Sequence, residues 1–136
     1  MMKKADIAWA AGLFEGEGCI SETHTDRPIS RRGYQVHLGM CDEDAVNRLE
    51  YLFPSPNGLH IRKPPGKDTY LPQYIWSRSS KEGVAEFLEA ILPFLCHRRA
   101  AKAYEALSWA YSPRPKRIDY ETKRKHYTRK STQEEK

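Results

Sequence analysis

The chain has 136 residues, 30% of them charged and 39% apolar, with a net charge of +5 at neutral pH. That length suits one domain with a real core and excludes two tandem copies of a four-stranded sheet unit. Three widely spaced cysteines, Cys19, Cys41 and Cys96, give neither a disulfide framework nor a zinc pattern and are expected to be buried, reduced thiols. No apolar run approaches the roughly 20 residues of a membrane span, and MMKKADIA lacks a signal-peptide core, so a soluble intracellular protein is expected.

In chain order, Asp6 is a good N-cap for a first helix that stops in the glycines of Glu15-Gly16-Glu17-Gly18, glycine suiting a left-handed C-terminal turn. Ala8, Ala11, Gly12 and Glu15 share one face of that helix, small enough for a second backbone to come close. Gly12 inside a helix costs roughly 1 kcal/mol against Ala, which suggests that a close approach is needed there. Residues 19–25 have strand character, 26–33 read as a polar loop, and 34–41 alternate, placing Val36, Leu38 and Met40 inward and Gln35 and His37 outward. Asp42 caps a second helix to about Phe53, with Val46, Leu49, Leu52 and Phe53 as its stripe. Residues 59–63 form a short third strand with Ile61 inward and His60 and Arg62 outward. A fourth strand spans 69–78, where Pro72 argues for an edge position or a bulge. Its parity is open: either Tyr74 and Trp76 face inward, leaving Thr69, Gln73 and Ser77 outward, or Leu71 and Ile75 do. Lys81 to Ile91 reads as a helix carrying Val84, Phe87, Leu88 and Ile91, Pro93 interrupts it, and a last helix runs from about Cys96 to Tyr111.

Charge is segregated along this order. Residues 113–136 carry nine Lys/Arg and four Asp/Glu, so residues 1–112 hold 14 of each sign. In that body the acids Asp42, Glu43, Asp44, Glu50, Glu82, Glu86, Glu89 and Glu105 fall in helices. The bases Arg27, Arg31, Arg32, Arg62, Lys63, Lys67 and Arg78 fall in strands and turns. A basic sheet backed by acidic helices is the pattern of a phosphate-binding surface. The stretch from Ser112 to Lys136 has few large apolar groups and reads as a basic C-terminal extension to a domain at 1–111.

Residues 10–18, AAGLFEGEG, resemble the signature of the LAGLIDADG homing endonucleases, with Phe14 in the apolar slot and Glu15 and Glu17 in the two acidic slots. The resemblance implies an α+β fold, αββαββα(α), with helices on one face of a curved four-stranded antiparallel sheet. It implies that signature helices pair at a two-fold axis. One signature per chain then predicts a homodimer with an isologous interface at Ala8, Ala11, Gly12 and Glu15. It also implies that Glu17, with the Gly16 carbonyl, binds a divalent metal, for which hard oxygen ligands select Mg²⁺. Glu15 falls on the position that is mainly structural.

The same resemblance places a basic residue after a Pro-aromatic-Leu turn, here Pro93-Phe94-Leu95-Cys96-His97-Arg98, which makes Arg98 a catalytic candidate that stabilises charge rather than taking a proton. The chain departs from the family pattern at Ala100 and Ala101, where Gln is common, and at Met40 and Cys41, where a polar residue is usual. On the outer sheet face Gln35, His37, His60, Arg62, Gln73 and Ser77 are placed to read bases of double-stranded DNA. Arg31, Arg32, Lys63 and Lys67 are placed to meet phosphates. The implied activity is a Mg²⁺-dependent double-strand break in a long pseudo-palindromic site. The alternatives are a non-cleaving DNA-binding regulator on the same fold and an intron RNA maturase.

Overall fold

The computed structural model of the chain describes residues 2–66 and 70–113. In order it holds α1 (Lys4–Glu17), β1 (Gly18–Thr23), β2 (Gly33–Met40), α2 (Glu43–Leu52), β3 (His60–Arg62), β4 (Gln73–Arg78), α3 (Lys81–Ile91) and α4 (His97–Ala110). Single 3₁₀ turns lie at Ile29–Arg31 and Leu92–Phe94. This is the order of elements expected from the sequence.

Local chemistry sets most of the boundaries. Asp42 accepts the Ala45 N–H at 3.3 Å to cap α2, and Ser80 accepts the Gly83 N–H at 3.0 Å to cap α3. Pro93 converts the end of α3 into the 3₁₀ turn that reverses the chain into α4. Helix α1 differs from expectation at both ends. It starts at Lys4, two residues before Asp6, whose carboxylate instead pairs with Arg48 at 3.2 Å. The Arg48 guanidinium also lies 4.1 Å from the centroid of the Trp9 ring, so a cation bound on two sides ties α2 to α1.

The C-terminus of α1 makes no left-handed turn. Gly18 is extended, with φ −86° and ψ 167°, and the helix passes directly into β1. Glycine is needed there for space, because a Cβ at Gly18 would lie 2.1 Å from Cδ2 of Phe14.

The four strands form one antiparallel sheet in the order β1-β2-β4-β3. Register fixes the inner face: Ile20 lies opposite Val36, Val36 opposite Arg78, Leu38 opposite Trp76, and Tyr74 between Met40 and Ile61. Tyr74 and Trp76 therefore face inward, resolving the open parity of β4. Strand β4 is central rather than an edge, and Pro72 sits before its first residue, where no ladder hydrogen bond is lost.

All four helices pack against β2, on the inner face. At the centre, the Phe87 ring meets Phe14, Phe53 and Trp76 at centroid distances of 5.1, 4.9 and 4.7 Å, and all four side chains are fully buried. Each such burial is worth roughly 1.5–3 kcal/mol.

Three expectations fail for reasons of placement. Arg78, expected on the basic surface, instead ends the inner row and is 5% exposed. It donates to the carbonyls of Pro54 at 2.8 Å and Gly83 at 3.0 Å and pairs with Glu86 at 3.5 Å. With the Trp76 indole N–H donating to Phe53 O at 2.8 Å, it fastens the chain leaving α2 to β4 and α3. Ile61 has the inward parity but is 58% exposed, because the three-residue edge strand β3 reaches past the helices. All three cysteines are free and exposed rather than buried: Cys19 stands on the outer face, Cys41 follows β2 and Cys96 precedes α4.

Candidate functional site

The phase of α1 is set by Ala10, Ala11 and Phe14, each fully buried against the sheet and α3. Ala11 therefore belongs to the chain's own core and not to the open face on which it was expected. The opposite side carries Ala5, Gly12 and Gly16, all exposed, with Ala8 half-buried at its margin. A Cβ added at Gly12 or Gly16 would meet nothing within 4 Å. The shallow face thus runs along the helix to its C-terminal end.

That end presents two carboxylates with different surroundings. Glu15, expected at the interface, is turned to α4: its Oε1 accepts the Cys96 N–H at 2.7 Å and its Oε2 lies 4.0 Å from Nε of Arg99. It serves as a cap for α4 supplied from another helix, which satisfies an N-terminal donor and puts negative charge at the positive end of the helix dipole. Glu17 is exposed and makes no hydrogen bond or ion pair among the described residues. The two acids therefore differ in their surroundings, Glu15 bonded to α4 and Glu17 open to solvent.

The first turn of α4 completes the site. Arg99 donates to Gly18 O and, at 3.0 Å, to Glu15 O, and its guanidinium lies 5.4 Å from the centroid of the Phe14 ring. Arg98, beside it, is exposed and has no hydrogen-bond or ion-pair partner among the described residues. Together with Gly18, Cys19, Ile20 and Lys102 the two arginines line a cleft of about 380 Å³. The sequence points to Arg98 as a candidate and not to Arg99. The second arginine of the Arg98-Arg99 pair was visible, but its contacts are with residues 81 and 84 positions away.

On the outer sheet face the register forms rows. His37 stands between Cys19 and Ser77, Ser21 lies opposite Gln35, His60 opposite Ile75, and Arg62 opposite Gln73. All six residues expected to read bases, Gln35, His37, His60, Arg62, Gln73 and Ser77, share this face. Cys19, Ser21 and Ile75 join them unforeseen. The Gln35 amide donates to Ser21 Oγ at 3.2 Å. His37 is half-buried, and burial holds its pKa below the ordinary histidine value.

The cations lie at the rims. Lys63 follows β3 and is exposed. Arg31 and Arg32 sit in the β1–β2 connection, where Arg32 Nε donates to Arg27 O at 3.0 Å. Both line a second cleft of about 520 Å³ with Lys81 and Trp109. Lys67 and Thr69 lie outside the described residues, as does the basic segment from 114 onward.

The oxygen donors at the end of α1 fit a hard cation in kind. The Glu17 carboxylate is unpartnered among the described residues, and the Gly16 carbonyl is one of the last carbonyls of the helix, which lack intrahelical donors. They do not complete a shell, since among the described residues no three His, Cys, Asp or Glu side chains come together. Among the same residues, no helix is long and apolar enough to cross a membrane.

No protein-family model matches the sequence, nor does any curated protein. Solved structures do. The homing endonuclease I-CvuI, in complex with an I-CreI target in 2 mM Mg with the DNA not cleaved, is 18% identical with a TM-score of 0.52, over 77% of this chain and 65% of that one. The same enzyme with its own target, in 2 mM Ca, is 17% identical with a TM-score of 0.51, over the same shares of the two chains. This chain thus spans about 65% of the length of the endonucleases it matches. The helix-strand-strand repeat, the antiparallel sheet and this likeness together give the chain the fold of the LAGLIDADG homing endonucleases.

Proposed function

We propose that the chain is a site-specific DNA endonuclease that works as a homodimer and makes a Mg²⁺-dependent double-strand break. The observation that carries this reading is Glu17, an exposed carboxylate at the end of a helix whose adjoining face is open and nearly free of side chains. In the proposed dimer that face packs on its copy across a two-fold axis, bringing two Glu17 carboxylates and two Gly16 carbonyls to one place. Two such carboxylates repel unless a cation lies between them, which supplies the affinity for Mg²⁺.

Glu17 and the Gly16 carbonyl would hold the divalent cation, which would supply Lewis-acid polarisation of the phosphodiester and activation of a water near neutral pH. Glu17 holds that charge at the axis. Arg98, always protonated, stabilises the extra negative charge on the phosphate as the in-line attack proceeds and cannot serve as a base. Gln35, His37, His60, Arg62, Gln73 and Ser77 meet base edges in the major groove, while Arg31, Arg32 and Lys63 meet phosphates. That the neighbours in fold are homing endonucleases solved on DNA supports the assignment of the partner.

A specific feature favours a second reading, a DNA-binding regulator that does not cut. Ala100 and Ala101 on α4, and Met40 and Cys41 at and just after the end of β2, stand where the pattern of the family that the chain resembles has polar residues. Incubation of a randomised duplex library with the chain and Mg²⁺, with Glu17→Gln as control, separates the two. Cutting that the control abolishes supports the nuclease; binding without cutting supports the regulator.

A further inference from the structure

We infer that Arg99 is a positioning residue, whose guanidinium grips the backbone on both sides of Gly16–Glu17 and so sets the Glu17 carboxylate against the Arg98 face of α4. The inference rests on the nuclease reading above. Its basis is the fork of bonds from one side chain: Nη1 to Gly18 O, Nη2 to Glu15 O at 3.0 Å, and Nε 4.0 Å from the Glu15 carboxylate.

The two carbonyls bracket the two residues proposed to supply oxygens to the cation. A planar fork fixes both at once, which a lysine's single ammonium does not. Glu17 has no side-chain partner of its own among the described residues, so its placement depends on the peptide units on either side of it. Those units lie at the carbonyl-rich, negative end of α1, where a cation is electrostatically favoured.

The grip works in the other direction as well. Successive residues on a helix point about 100° apart, so anchoring Arg99 to α1 fixes the rotation of α4 and thereby the direction of Arg98. Glu15 closes the loop by capping α4 through the Cys96 N–H. The carboxylate and the cation of the proposed site are therefore held by one reciprocal clasp. A misplacement of about 1 Å at such a site costs about 100-fold in rate, so loss of the clasp should be read in turnover rather than in DNA affinity.

The test compares full-length wild type, Arg99→Lys and Arg99→Gln by amide hydrogen exchange and by cleavage of a duplex selected with the wild type. In Arg99→Gln, exchange at Gly16 to Cys19 should rise by about tenfold or more while amides of α2 and α3 keep their rates. Its kcat should fall by about tenfold or more with KM within about twofold. Arg99→Lys, which keeps the charge and loses the fork, should show both effects in milder form, and it stands in should the Gln variant fail to fold. Unchanged exchange at residues 16–19, or raised exchange with unchanged kcat, overturns the inference. A wild type that cuts no duplex overturns the nuclease reading and this role with it, and the exchange arm then reports on the grip by itself.

Discussion

The Glu15 carboxylate accepts the backbone N–H of Cys96 at 2.7 Å, a bond between the last turn of α1 and the residue that opens α4, 81 positions later. Two glutamates separated by one glycine thus divide their tasks by direction. Glu15 turns inward to join two helices, and Glu17 turns outward with nothing to hold among the described residues.

Stability should separate them. Glu15→Ala removes the cap and the partner of Arg99 and should destabilise the fold by about 1–2 kcal/mol. Glu17→Gln should stay within about 0.5 kcal/mol of wild type while abolishing cleavage. Urea denaturation followed by circular dichroism measures both.

The glycines in and just after α1 should separate in the same way. Gly18→Ala forces a Cβ into the buried Phe14 ring and should cost about 1–3 kcal/mol. Gly12→Ala meets open space and should stabilise an isolated subunit by up to about 1 kcal/mol. In the proposed dimer the same methyl groups collide at the axis, so Gly12→Leu should shift sedimentation toward the monomer without unfolding the chain.

Arg78→Ala should be among the most damaging single changes outside the aromatic core. It strands the carbonyls of Pro54 and Gly83 and empties a buried volume, at a cost of about 2–4 kcal/mol. A melting-temperature comparison with an exposed control, Arg31→Ala, checks this.

His37 gives the fold a pH signature. Its pKa in the folded chain lies below the unfolded value of 6.5 because burial disfavours the charged ring. The unfolded chain therefore binds the proton first as pH falls. Stability is full above about 6.5 and declines as pH drops from there toward the folded pKa. Urea midpoints at pH 7.5 and about 5.5 should fall further for wild type than for His37→Gln.

Much of this was legible in the residues because it is periodic or local. The alternation of Val36, Leu38 and Met40, the stripe Val84, Phe87, Leu88 and Ile91, the cap Asp42 and the break at Pro93 each follow from neighbours a few positions away. What was not legible depends on distant partners. Arg78 occupies an inner position by parity, but it is the carbonyls of Pro54 and Gly83 and the Glu86 carboxylate that make burial of its charge tolerable. Asp6 is a good cap by type and is drawn instead to Arg48 on another helix. Ile61 points inward into space that no helix among the described residues covers. Ala11 looked like part of the open face of α1 until the buried Ala10 and Phe14 fixed the rotation of that helix.

The most direct measurement for the central claim is cross-linking across the proposed axis. In a chain with Cys19, Cys41 and Cys96 replaced by Ser, Gly16→Cys and Tyr104→Cys variants are treated with a short bismaleimide and resolved by size under denaturing conditions. Rapid conversion to a covalent dimer at position 16, with position 104 on the far helix left monomeric, is the result the two-fold pairing of α1 predicts. A chain that sediments as a monomer and cross-links no faster at position 16 than at 104 would contradict it.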